Sequence, residues 1–209
     1  MILQEKGDLL QSRANVIAHQ VNCRGVMGAG VAKQIKDKLL TFEQYRYYQN
    51  ICRKYNADLL LGHNDYMTLN DGRCLCNMFA EDIPTGLGLD TNYQALQCCF
   101  QKLEYFCRKA KIVAAIPGYI GCGLAGGDWD YVVRNIVLPN FQNSPVTLKI
   151  VYWEDSVEKM WKEFQANCQG NILEEDWCFF TKGTKKEAIE IRWKGEKGSD
   201  LFFGISRGR

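Results

Sequence analysis

The 209-residue chain is short of the features that usually assign a compartment or a cofactor. No run of about 18 apolar residues occurs, so no membrane span is expected. The opening MILQEKGDLL puts acid, base and glycine after two apolar residues and does not read as a signal peptide. There is no CxxC pair, and the two histidines, His19 and His63, show no ligand spacing, so no metal site is expected. The net charge is only +2, which argues against broad attraction to nucleic acid or membrane and leaves room for a local basic patch at most. Ten cysteines are present, but without an export signal they read as reduced, mostly buried thiols of a cytoplasmic protein.

What is present is an alternation of apolar strands and amphipathic helices. Asn15 to Val21 reads as a buried strand, followed by helical spacing over Val31 to Leu40. A second helix is expected over Phe42 to Tyr55, with Tyr45, Tyr48, Ile51 and Cys52 forming its stripe. Tyr66 to Leu69 and Arg73 to Phe79 flank Asn70-Asp71-Gly72, a hairpin signal. Asp90 or Thr91 is expected to cap the helix that runs to about Lys109. Lys111 to Ile116 and Val146 to Trp153 read as further buried strands. Asp128 reads as the cap of a helix from Trp129 to Val137, and Asp155 to Phe164 as a last amphipathic helix. Beyond about Asn167 periodicity fades, although EAIEIRW and DLFFGIS could each form a strand.

Two glycine clusters stand out, each between a strand and a helix. The first is GVMGAG, Gly25 to Gly30, and the second GYIGCGLAGG, Gly118 to Gly127. A helix N-terminus offers unpaired N–H groups and partial positive charge, and glycine lets the backbone close on an anion. The first cluster is neither a P-loop, since it lacks the GK[ST] ending, nor a GxGxxG fingerprint, since the third glycine is missing. Two such clusters at the carboxyl ends of strands point to a diphosphate held between loops.

These residues resemble a known family. GDLL (Gly7 to Leu10), the strand ending in Asn22, the loop GVMGAGVA and the later IGCGLAGGDW look like a macro domain, over about residues 1 to 165. The resemblance implies a three-layer α/β/α fold with a mixed central sheet, no cofactor, and ADP-ribose or a derivative as ligand. An ADP-ribosylated macromolecule is a further partner it implies. HQVNCRGVMGAG together with LLLGHNDYMTL and RCLCNMF is most similar to the ADP-ribose 1″-phosphate phosphatase branch, which is related to the terminal ADP-ribose glycohydrolases. Residues 1–165 are thus expected to form the macro domain and residues 166–209 a C-terminal extension without an assigned role.

Carried over by resemblance, Asp8 would accept from the adenine amino group, with the Leu9 backbone beside it. Asn22 would sit at the distal ribose. Gly28, Ala29, Gly30 and Val31 would hold one phosphate. Pro117, Ile120, Gly121, Cys122, Gly123, Leu124, Ala125 and Gly126 would hold the other and enclose the distal ribose, and Trp153 would lie near adenine. For catalysis the pattern departs from the glycohydrolase relatives: NMFAEDIPTGLG holds no lysine, and the residue after GCGL is Ala125. Asn22, His19 and Asp90 are the catalytic candidates, His19 because it can titrate near neutrality and Asp90 because its loop could fold over the site. A packed strand histidine and a helix cap are the competing readings of the last two. Glu81 and Asp82, just past a strand end, could order water.

Overall fold

A computed structural model describes residues 1–153 together with residues 179–182, 188–194 and 200–207. The helix expected over Asp155 to Phe164 lies outside the described residues.

The described strands form one nine-stranded mixed sheet in the order β3-β4-β2-β5-β6-β1-β9-β8-β7. Its strands are β1 (Ile2–Lys6), β2 (Val16–Asn22), β3 (Asn64–Thr68), β4 (Cys74–Glu81), β5 (Ala114–Pro117), β6 (Leu148–Tyr152), β7 (Phe179–Lys182), β8 (Ala188–Lys194) and β9 (Asp200–Arg207). The helices are α1 (Gly30–Lys38), α2 (Phe42–Lys54), α3 (Ala57–Leu60), α4 (Tyr93–Ala110), α5 (Trp129–Val132) and α6 (Leu138–Phe141), the last two joined by a π-helical segment, Val133–Val137.

The layering follows from the alternation of side chains along β2 and β4. Val16 and Ala18 of β2, with Cys76, Met78 and Ala80 of β4, face α4, whose Leu96, Cys99, Phe100, Leu103 and Cys107 are buried against them. The same layer takes in Val132, Ile136 and Phe141 from the helical run after Asp128. On the other face, Ile17 and Leu75 pack with Ile35 of α1. Val21 and Phe79 pack with Tyr48, the buried centre of the α2 stripe. Helices on both faces of a largely parallel sheet are the three-layer α/β/α arrangement expected.

Several local signals resolve as their chemistry dictates. The Asp-Gly turn joins β3 to β4 antiparallel, with Gly72 at φ +86° and Leu69 N–H donating to Arg73 O at 2.8 Å. Asp128 does cap α5, accepting from Tyr131 N–H at 3.2 Å. The cap of α4 is a correction: it is Asn92, which accepts from Ala95 N–H at 2.9 Å, and not Asp90 or Thr91. Thr91 instead forms a bridge with Glu81 that extends the sheet edge. The helical run expected to end at Val137 continues to Phe141. Pro139 has no N–H to give to the preceding turn, and the chain accommodates it through the wider π segment upstream. Two elements carried no usable signal: β1, whose five residues hold two apolar positions, and the single-turn α3.

Both strands read in the C-terminal segment are present. β9 pairs parallel with β1, matching Gln4 to Ile205 and Lys6 to Arg207, and β8 and β7 follow antiparallel. The eight cysteines among the described residues are free, and four of them are buried.

Candidate functional site

Strands β1, β6, β5, β2 and β4 are mutually parallel, so all their carboxyl ends emerge at one edge of the sheet. The segments that follow β1, β2, β4 and β5 therefore meet there. The crevice outside such strand ends is where open α/β sheets bind ligands.

Asn22, the last residue of β2, organises the first glycine loop. Its Nδ2 donates to Val26 O at 2.7 Å, and its Oδ1 accepts from the N–H groups of Arg24 and Val26, both at 3.1 Å. Tyr48 Oη on α2 donates to Asn22 O at 2.7 Å, and Tyr45 Oη donates to Gly25 O at 3.2 Å. The loop is thus clamped between the strand and α2, and the amide expected to read a ribose diol is committed to backbone. What the clamp presents is the start of α1. Ala29 precedes it in extended conformation, and no side chain caps it. Gly30 has φ +56°, and nothing lies within 4 Å of where its Cβ would be. Glycine there serves the backbone turn, and the space above the helix N-terminus is open, with α1 N–H groups directed into it.

The second loop uses glycine differently. A Cβ on Gly126 would lie 2.1 Å from Gly88 O, and one on Gly127 would lie 2.5 Å from Gly121 O. One on Gly121 would lie 2.7 Å from Gln20 Oε1, and one on Gly118 would overlap the Tyr152 ring at 2.2 Å. Gly126 and Gly127 let backbone touch backbone, while Gly121 makes room for the side chains of Gln20 and Thr91 and Gly118 for the Tyr152 ring. The segment after β4 is stitched to this loop, with Asp90 and Thr91 N–H donating to Ala125 O at 2.9 and 3.1 Å. Thr91 Oγ1 donates to Gly121 O at 2.6 Å and accepts from Gln20 Nε2 at 3.0 Å. Only Gly123 in this cluster faces open space.

At the β1 end, Asp8 Oδ1 accepts from Leu10 N–H at 2.9 Å, capping a 3-10 turn, Leu9–Gln11. The side chains of Leu9 and Leu10 are buried, so Leu9 has only its backbone to offer a ligand. Lys6 lies opposite Tyr152 in the register, and Gly7 N–H donates to Tyr152 O at 2.8 Å. Trp153, half exposed, therefore emerges beside the Asp8 segment. Pro117 ends β5 between these two ends of the edge, and Ile120 is buried beneath the second loop.

Of the three catalytic candidates, the fold brings Asn22 and Asp90 to the loops, Asn22 through its amide bonds to the first and Asp90 through its N–H bond to Ala125 O in the second. His19 is buried in the sheet, with Nε2 donating to Asn77 Oδ1 at 2.8 Å, and burial lowers its pKa to about 4. Along β2 it shares a sheet face with Ile17 and Val21, the face that α1 and α2 cover, and there it sits as a packed strand histidine. Asp90 reaches the edge, but its carboxylate accepts from Thr85 Oγ1 at 2.6 Å and from Gly86 N–H at 2.7 Å. Those bonds hold its pKa below the usual carboxylate value. Cys122, beside the second loop, has its thiol pushed up to about 12 by burial and by Asp128, which makes it a poor nucleophile.

Much of the positioning falls to Tyr48 and Thr91, which the sequence offered only as a helix stripe and a helix cap, and to Gln20 and Arg24, which it did not single out. Arg24 pairs with Asp82 at 2.8 Å and links the first loop to the segment after β4. Glu81 lies opposite Asn22 in the strand register, half-buried, and burial followed by the charge of Asp90 raises its carboxyl pKa. No cluster of three or more metal-ligating side chains occurs among the described residues, and no described helix is long and apolar enough to cross a membrane.

No family model and no curated protein matches the chain. Solved structures do. The macrodomain of Mycobacterium tuberculosis DarG is 25% identical with a TM-score of 0.61, covering 73% of this chain and 97% of that one. A protein of unknown function from Bacteroides thetaiotaomicron is 25% identical with a TM-score of 0.61, covering 73% and 98%. Thermosipho africanus DarTG, solved in complex with ADP-ribose, is 21% identical with a TM-score of 0.57, covering 70% of this chain and 40% of that one. With its parallel strand ends, two glycine loops and flanking helical layers, the chain has the macrodomain fold.

Proposed function

We propose that the chain binds ADP-ribose along this edge, with adenine toward Asp8 and Trp153 and the pyrophosphate between the two glycine loops. The observation that carries the reading is the uncapped N-terminus of α1, opening behind Gly28–Gly30 onto free space. An anion there meets N–H donors that nothing on the protein side caps. The ADP-ribose in the Thermosipho africanus structure supports the same ligand. Isothermal calorimetry with ADP-ribose tests it. The wild-type chain gives heat, and Gly28→Glu, which adds a carboxylate at the loop where a Cβ meets only Val26 at 3.5 Å, gives none while keeping its melting temperature. Absence of heat from the wild-type chain at millimolar ligand removes the reading.

For the reaction we propose hydrolysis at the distal ribose, with ADP-ribose 1″-phosphate as the first substrate to assay. Loop N–H groups would stabilise charge on the transferred phosphate, and Glu81, with its raised pKa, is the acid best placed near Asn22 to order water. A second reading, cleavage of ADP-ribose from a modified macromolecule, draws support from charge. The segment after β4 holds Asp82 and Asp90 and no cation, and Arg24 is already paired with Asp82. Exposed Val26, Ile83, Leu87, Leu89 and Leu124 lie on the same loops and suit a neutral leaving group better than a phosphate dianion. Parallel assays of phosphate release and of ADP-ribose release separate the two, and binding without either product identifies a reader.

A further inference from the structure

A second concave surface lies away from the loop edge. It is a groove of about 470 Å³ between the sheet's edge strand β3 and helix α4, lined by His63, Asn64, Tyr66, Lys102, Tyr105 and Lys109 among others. At a rise of about 1.5 Å per residue, Tyr105 sits roughly 20 Å along α4 from its start at the loop edge.

The floor is aromatic and fixed. Tyr66 and Phe106 stack with ring centroids 4.3 Å apart. Asn64 Nδ2 donates to Cys99 O at 2.9 Å and to Tyr66 Oη at 3.1 Å, tying strand to helix. The rim is cationic. Lys102 Nζ donates to Gly62 O at 2.7 Å and lies 3.5 Å from Nδ1 of His63, another residue of the lining. Lys109 Nζ lies 5.5 Å from the ring centroid of Tyr105, a residue that is 55% exposed. Arg108 flanks the same ring at 5.5 Å.

Among the described residues no carboxylate lines the groove. Glu104, the acid nearest in sequence on α4, is engaged by Arg108 at 3.0 Å and by Ser144 Oγ at 2.7 Å. Asp65 alternates to the opposite face of β3, where it accepts from Asn77 and Tyr47. No described carboxylate pairs with Lys102 or Lys109.

An aromatic platform bordered by cations and free of acids has the chemistry of a nucleotide-binding track: bases stack on rings, and phosphates meet ammonium groups. We propose that this groove binds single-stranded nucleic acid, with a base against Tyr105 and backbone phosphates at Lys102 and Lys109. The site is independent of the ADP-ribose reading. A net charge of only +2 makes it a local patch, so the binding is weak and strongly dependent on salt.

The test is fluorescence anisotropy with labelled oligothymidylate and oligouridylate of roughly 10 nucleotides, at low and at physiological salt. The full chain binds at low salt and weakens as salt rises. Tyr105→Ala weakens binding about tenfold through lost stacking, and Tyr105→Phe restores it. Lys109→Glu weakens binding further and flattens the salt dependence. Both side chains are on the surface, melting temperatures stay unchanged in all three variants, and ADP-ribose calorimetry is unaffected. No anisotropy change at low salt overturns the proposal. So does oligonucleotide binding that Tyr105→Ala and Lys109→Glu leave intact. Binding of an extended acidic peptide in place of the oligonucleotide also overturns it, and would mark β3 as an edge for strand addition.

Discussion

His19 shows how burial decides what a titratable residue can do. Its ring is enclosed in the sheet, and its folded pKa of about 4 lies below the ordinary 6.5. The unfolded chain therefore takes up the proton first as pH falls. Stability is complete above about pH 6.5 and declines as pH drops through 4, by about 3 kcal/mol from this one group. Urea melts at pH 7 and at pH 4.5 measure the decline, and His19→Gln, which cannot titrate, lacks that component. Asn22 makes a different case. Its amide satisfies three backbone groups of the first loop, so Asn22→Ala takes their partners from two part-buried N–H groups and one carbonyl at once. A loss of about 2–3 kcal/mol is expected, together with ADP-ribose affinity, since the turn that presents Gly28–Gly30 relaxes. At Gly126 a methyl group would need the space of Gly88 O, and φ is +67°. Gly126→Ala is expected to cost at least about 2 kcal/mol and to push the segment after β4 off the second loop; thermal melts and calorimetry read both effects.

Among the elements, α1 and α2 contrast at their N-termini. Thr41 and Gln44 form a reciprocal capping box on α2, with Gln44 N–H donating to Thr41 Oγ1 at 3.2 Å and Thr41 N–H to Gln44 Oε1 at 2.8 Å. α1 has no side-chain cap. A capped start closes a helix to ligands, and an open one keeps its donors available. Thr41→Ala is expected to lower stability by about 1 kcal/mol and to leave ADP-ribose binding unchanged in calorimetry, because α2 supports the loop through Tyr45 and Tyr48 and not through its cap.

Over the whole molecule, β1 is the hinge of the architecture. It pairs with β6 on one side and β9 on the other, so the C-terminal strands continue the sheet that carries the site. We propose that residues 1–165 form the macrodomain unit and that residues 166–209 are tied to it through this pairing. Ending the chain after residue 165 removes β9 and leaves the edge of β1 open. An unpaired edge is a template for other chains, so the shortened protein is expected to melt lower and to elute as larger species in size-exclusion chromatography.

The sequence by itself determined the α/β alternation, the Asp-Gly hairpin, the Asp128 cap and the two glycine loops. Each follows from residue periodicity or from a local φ requirement that only certain side chains meet. It could not reveal β1, whose short ILQEK acquires strand character from neighbours 146 residues and more away in the chain, nor that Asn92 and not Asp90 would cap α4. Only tertiary structure separated the glycines that meet backbone, such as Gly126, from those that open onto space, such as Gly30. Only tertiary structure buried His19 against Asn77 and set Glu81 beside Asn22. Periodicity and turn chemistry act within a few residues. Burial, desolvation and strand register depend on which distant segments meet, and those contacts decided which candidates the site contains.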